Sequence, residues 1–133
     1  MPRPSIILDW TAGRPVYVRC SVNTFSNTKS RNEFFLIIDT GANRTALSMQ
    51  SLLYCGYTHF TPPKEIKNTA GGKCAFKQCT VSEFVVANKF KQSALVVDVF
   101  DKWNHPQIVG ALGMDILAKL TAIWSSKDKK VLL

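Results

Sequence analysis

Residues 34–42 read Phe34-Phe35-Leu36-Ile37-Ile38-Asp39-Thr40-Gly41-Ala42, five apolar residues running straight into an acid, a hydroxyl and a glycine. A run this short and this apolar reads as a strand buried on both faces. Asp39 then falls at the strand end. A carboxylate that loses hydration there needs a hydrogen bond, a partner or a chemical task. Thr40 supplies a hydroxyl, and Gly41 lets the backbone turn sharply and another segment come close. Asp-Thr-Gly alone describes a plain strand-to-turn junction equally well, because Asp and Gly both favour turns.

A second segment changes that balance. Residues 108–117 read Ile108-Val109-Gly110-Ala111-Leu112-Gly113-Met114-Asp115-Ile116-Leu117, an apolar strand run closing on Gly-x-Asp-x-Leu. In order, spacing and flanking apolar runs, the two segments together resemble the retropepsin-like aspartic proteases, over roughly residues 33 to 133. The resemblance implies an all-β, closed acid-protease-type barrel, a single lobe that homodimerises. It implies that Asp39 is catalytic, that the Thr40 hydroxyl interlocks with the partner chain, and that Gly41 contacts substrate backbone. By the same resemblance Ala70, Gly71 and Gly72 occupy the tip of a flap that closes over substrate. Ala111, Leu112 and Gly113 pack behind the catalytic loop, and Asp115 has a structural role beside it. Substrate contact is expected from Gly41, Ala42, Asn43 and Arg44.

Two departures from the retroviral pattern bear on specificity. The position two after the motif glycine, often acidic in retroviral enzymes, is Asn43, and Arg44 follows it. Arg44 points to a preference for acidic side chains. The flap hairpin carries Lys73 and Lys77 in place of a clearly apolar tip. The segment from Thr121 to Leu133 looks like the longer C-terminal hairpin of cellular and bacterial relatives, a candidate interface element.

Length and composition agree with one enzyme-sized domain over residues 1–133. A hydrophobic content of 46% excludes a disordered chain. No apolar run reaches the ~18 residues that span a bilayer, and Met1 to Ile6 lacks a signal-peptide core, so a cytoplasmic protein without a membrane partner is expected. Cys20, Cys55, Cys74 and Cys79 form no Cys-x-x-Cys pair. They read as free, mostly buried thiols, and no metal or cofactor is expected. The net charge of +8 admits a nucleic-acid partner in principle. The lysines are scattered, however, and the cluster Lys127-Asp128-Lys129-Lys130 reads as a solvated turn.

Along the chain, Ile6 to Leu8 reads as a first strand. Val16, Val18, Cys20 and Val22 alternate with polar neighbours as a half-buried strand. The polar stretch from Asn23 to Asn32 reads as a long hairpin loop. Ser48 is placed to cap a helix over Met49 to Tyr54 that Gly56 ends. Lys64–Thr69 and Lys73–Val81 form a hairpin around Ala70-Gly71-Gly72. Ala87-Asn88 is a turn, Ala94 to Phe100 an apolar strand interrupted by Asp98, and Asp115 to Leu120 a helix. His59 and His105 read as solvated or capping, and Trp10, Trp103 and Trp124 as packing anchors. Ser48, Ser51 and Cys55 lack the Gly-x-Ser-x-Gly or paired-His context of a nucleophile.

Hydrolysis through aspartates needs two carboxylates sharing one water and one proton. The chain has one Asp-Thr-Gly, and Asp9, Glu33, Glu65, Glu83, Asp98, Asp101, Asp115 and Asp128 lack that context. The second carboxylate must then come from another chain, in a two-fold dimer that sets Asp39 against its copy. The expected function is an aspartic endopeptidase with a peptide or protein substrate. Its rivals are a silent dimerisation or peptide-binding module that kept the fold, and a basic nucleic-acid-binding β domain.

Overall fold

The structure is a computed structural model that describes residues 6–9, 14–62, 66–69, 72–101, 108–120, 123–125 and 130–132. Its elements in chain order are β1 (Ile7–Asp9), β2 (Tyr17–Thr24), β3 (Asn27–Ile38), β4 (Ala46–Ser48), α1 (Met49–Tyr54), β5 (Ile66–Thr69), β6 (Gly72–Ala75), β7 (Lys77–Val86), β8 (Phe90–Phe100), β9 (Ile108–Leu112), α2 (Met114–Leu117), β10 (Ile123–Ser125) and β11 (Lys130–Leu132). Six strands close into a barrel in the order β2-β3-β9-β4-β8-β7. The expected all-β barrel with two short helices is what forms.

Inward-facing residues of alternating strands fill the barrel. Val18, Cys20, Val22, Leu36, Leu47, Val81, Phe84, Val97, Val99 and Leu112 are all buried, and Leu52, Ile116 and Leu117 join them from the helices. Burying a Val- to Phe-sized side chain contributes about 1.5–3 kcal/mol, so this interior is the main source of stability. The barrel explains a difference at β3. Phe34, Leu36 and Ile38 pack on the core, but Phe35 on the opposite face is 42% exposed. A barrel strand has only one inner face, so the run is not buried on both. The Phe35 ring instead lies 5.7 Å from the Arg19 guanidinium.

The expected long loop from Asn23 to Asn32 is also replaced. Thr24 pairs with Asn27, so the turn is Phe25-Ser26 alone, with Ser26 at φ 64. Residues 27–32 extend β3, and the register shifts between Asn23 and Thr24 to absorb the extra length. Pairing with β2 satisfies the backbone while the polar side chains mostly stay in water, so polarity did not mark a loop here. At the other end of β7, Ala87 and Asn88 both take positive φ, 49 and 57, and make the tight turn into β8.

The helix α1 forms over the expected residues. Ser48 caps it, its Oγ accepting from the Ser51 N–H at 3.2 Å, and Gly56 ends it at φ 90. The helix α2 is shorter than expected, ending at Leu117. Outside the barrel, β5 and β6 form a two-stranded hairpin with Thr69 opposite Gly72, so residues 70 and 71 connect them. The strands β1, β11 and β10 make a separate sheet in that order. Ala70, Gly71, Trp10, Trp103 and His105 lie outside the described residues, as do the side chains of Cys74 and Trp124. Among the described residues no helix is long and apolar enough to cross a membrane.

Candidate active site

Two strands that follow one another in sequence, β3 and β4, are not neighbours in the barrel. The strand β9 lies between them, parallel to β3 and antiparallel to β4. The link from Ile38 to Ala46 must therefore loop over the end of β9, and Asp39 stands at its start. The approach is close. A Cβ on Gly110 would fall 2.0 Å from the Ala46 carbonyl oxygen, so only glycine fits opposite β4.

The loop is held by residues 112–115, which explains the second sequence signature residue by residue. The Asp39 N–H donates to the Leu112 carbonyl at 3.0 Å. The Met114 N–H donates to the Ala42 carbonyl at 2.7 Å, and the Asp115 N–H to the Asn43 carbonyl at 3.1 Å. Gly113 lies against the loop backbone, where a Cβ would sit 2.6 Å from the Arg44 carbonyl carbon. Ala111 pairs with both Ile37 and Ala46 behind the loop. Asp115 accepts from the Thr45 N–H, the Thr45 hydroxyl and the Ile116 N–H. The Thr45 oxygen in turn accepts from Gly113 N–H at 3.1 Å. Asp115 thus clamps the loop through Thr45.

At the loop's start, the Asp39 carboxylate bends back on its own turn. Its Oδ1 accepts from the Gly41 N–H at 3.0 Å, and the Ala42 N–H donates to the Asp39 carbonyl at 3.2 Å. Asp39 is half-buried, while Thr40, Gly41 and Asn43 are exposed on the loop's outer side. Arg44 turns toward the barrel wall, with Nη1 3.4 Å from Asp98 Oδ1. It is therefore not a freely extended cation, though 37% of its side chain stays exposed.

The other carboxylates with described side chains are occupied elsewhere or stand apart. Glu33 pairs with Arg19, and Glu83 lies 3.0 Å from both Arg31 and Lys91. Lys91 foremost, with Arg31, holds the Glu83 carboxyl below its ordinary value. Asp98 faces Arg44, Asp115 faces Thr45, and Asp101 is exposed beyond β8. Among the described residues no His, Cys, Asp or Glu group is arranged to hold a metal ion.

The alternative nucleophiles have ordinary roles. Ser48 and Ser51 share a buried hydrogen bond of 2.7 Å at the α1 cap. Burial pushes the Cys55 thiol up to about 11, so it holds little thiolate at neutral pH. His59 is exposed beside Thr58. Sequence reasoning missed Thr45 and Asp98 as supports of the loop. The one available signal was Asp98, an acid breaking an otherwise apolar strand.

A strand-bordered loop carrying a single Asp-Thr-Gly, clamped by a Gly-x-Asp segment inside a closed barrel, defines a retropepsin-like architecture. The chain belongs to the aspartyl protease family, whose model matches residues 24–116. Among solved structures it is similar to a retropepsin-like aspartic protease from Rickettsia conorii, with a TM-score of 0.65 and 19% identity. The superposition covers 96% of this chain and 88% of that one. No curated protein matches it by sequence.

Proposed function

We propose that the chain is an aspartic endopeptidase that works as a homodimer. The observation that carries this reading is the state of the carboxylates. Asp39 stands half-buried at the start of an exposed loop, its Oδ1 accepting from the Gly41 N–H, and no other carboxylate with a described side chain lies in hydrogen-bond contact with it. One carboxylate can serve as base or acid on a water, but the reaction needs both roles at once. A two-fold axis beside Thr40 and Gly41 supplies the second from the copy. Two carboxylates that close cannot both ionise, so they share one proton and titrate as a pair. The charged member removes a proton from water as it attacks the peptide carbonyl, and the protonated member donates to the carbonyl oxygen.

The rest of the site follows from this arrangement. Gly41, Ala42, Asn43 and Arg44 line the bound peptide, and the β5–β6 hairpin with Ala70, Gly71 and Gly72 closes over it. Among the described residues the sheet β1-β11-β10 ends in β1 on one side and β10 on the other, and such edges support strand pairing with a copy.

Digestion of a proteome-derived peptide library from pH 4 to 8, read by mass spectrometry, tests the proposal. Cleavages made by wild type and absent with Asp39→Asn are expected, at a rate that falls on dilution below the dimer constant. Cleavage that survives Asp39→Asn removes the reading. Silence from a confirmed dimer moves the weight to a peptide-binding module. Steeply salt-dependent oligonucleotide binding points to the nucleic-acid reading.

A further inference from the structure

The segment that follows α1 leaves a cavity against the barrel wall. Its volume is about 350 Å3, and Phe25, Tyr57, Cys79 and Val96 form its apolar walls. Phe25 is 49% exposed and Val96 40% exposed, so two large apolar side chains border one hollow and remain in water. The Phe25 and Tyr57 rings meet edge to face, 5.5 Å apart and 73° from parallel. Thr58, His59 and Thr80 add hydrogen-bonding groups. Among the described residues that line the cavity there is no Lys, Arg, Asp or Glu, although the chain carries a net charge of +8. Burial raises the Cys79 thiol above its ordinary value, so that wall adds no charge. None of these lining residues belongs to the loop from Asp39 to Thr45 or to β9.

Two features fix the walls. Thr61 forms a bridge to Gln78, its N–H donating to the Gln78 carbonyl at 2.9 Å, which ties this segment to β7. In the β7–β8 ladder Val81 pairs with Leu95 and Glu83 with Ser93, while Ser82 and Ala94 between them do not pair. Ala94 takes φ 51 there, a left-handed conformation that is strained for a residue other than glycine. The Ser82 N–H turns instead to the Tyr57 hydroxyl at 3.2 Å. Strained backbone gathers at ligand clamps, and here it accompanies a donor that holds one wall of the cavity in place.

We propose that this cavity binds a small neutral aromatic molecule, one that carries a hydrogen-bonding group. The site is separate from Asp39 and does not depend on the peptidase reading. The ligand ring packs on Phe25 and Val96, covering apolar surface that otherwise faces water, and its polar group meets the Thr80 hydroxyl. The volume lies at the lower end of small-molecule sites, which suits a compact ring better than a length of peptide. A charged ligand would lose hydration against walls that offer it no counter-charge.

The test titrates indole into the isotope-labelled full chain and follows the backbone amide resonances. Benzoate and cyclohexanol serve as the charged and the non-aromatic controls. Indole is expected to give saturable shifts at Phe25, residues 57–61, residues 78–80 and Val96, with a dissociation constant on the order of 0.1–1 mM. Both controls are expected to bind about tenfold more weakly or worse. Phe25→Ala and Val96→Glu are each expected to weaken indole about tenfold. Val96→Glu alters an exposed strand position and decides the matter where Phe25→Ala fails to fold. Shifts that do not saturate, shifts centred elsewhere, or equal affinity for benzoate overturn the proposal, as does unchanged binding by the folded variants. A tryptophan-containing peptide that binds these residues more than about tenfold tighter than indole assigns the cavity to a protein partner and overturns the small-molecule assignment.

Discussion

Thr45 and Asp115, 70 residues apart in sequence, are joined by three contacts: the Thr45 N–H lies 3.0 Å from each Asp115 oxygen, and Thr45 Oγ1 donates to Oδ1 at 2.8 Å. Thr45 is fully buried. Its hydroxyl is the one group that ties Asp115 to the Gly113 N–H. Thr45→Val keeps the shape but leaves the buried Gly113 N–H without its acceptor and removes one of the donors to Asp115, which keeps the Thr45 and Ile116 N–H groups; a cost of about 1–3 kcal/mol is expected. Urea unfolding should show that loss for Thr45→Val and little change for Thr45→Ser. Equal midpoints for all three proteins would mean the clamp contributes nothing.

Gly113 and Gly110 tolerate no side chain. The Cβ of Gly113→Ala would come within 2.8 Å of the Thr45 nitrogen and closer still to the Arg44 carbonyl, all of it backbone. Overpacking of this kind costs about 1–3 kcal/mol and more where backbone must move. Gly110→Ala, with its 2.0 Å approach to Ala46 oxygen, should be the worse of the two. Soluble yield and melting temperature check the order, and a well-folded Gly110→Ala contradicts the barrel register.

Tyr57 carries a buried polar junction. Its hydroxyl donates to Asn23 Oδ1 at 2.7 Å and accepts from the Ser82 N–H at 3.2 Å, and the same Asn23 oxygen accepts from the Glu83 N–H. Tyr57→Phe leaves the ring and its 5.5 Å edge contact with Phe25 but strands a backbone donor. A loss of about 1–2 kcal/mol in denaturant unfolding is expected, with peptide cleavage kinetics unchanged because the junction is remote from Asp39 in the hydrogen-bond network.

Buried thiols set an alkaline limit. Burial raises Cys55 from 9.0 to about 11, and raises Cys20 and Cys79 as well. The unfolded chain gives up these protons first, so stability is level below pH 9 and falls as pH rises toward 11. Urea midpoints measured from pH 7 to 11 should show the fall, and Cys55→Ala should make it shallower. A curve for Cys55→Ala parallel to wild type would assign the fall to other groups.

Much of the architecture was readable because local signals agreed with the fold. Ser48 and Gly56 bracket α1, and Asp39 and Gly113 mark the two halves of the site. What escaped was non-local. The strand identity of residues 27–32 comes from pairing with β2, which their polar side chains do not advertise. Phe35 looked buried because composition cannot tell a barrel wall from a sheet covered on both sides. The Arg44–Asp98 contact spans 54 residues, and nothing near either residue announces the other.

The insertion of β9 between β3 and β4 also orders events during synthesis. Asp39, Ala42 and Asn43 have their backbone partners at Leu112, Met114 and Asp115. While a ribosome has delivered only the first hundred or so residues, this loop has nothing to close upon. Pairings this distant in sequence form slowly. The nascent chain therefore passes most of its assembly without an organised aspartate, and gains one only when the segment beginning at Ile108 slots into the gap left for it.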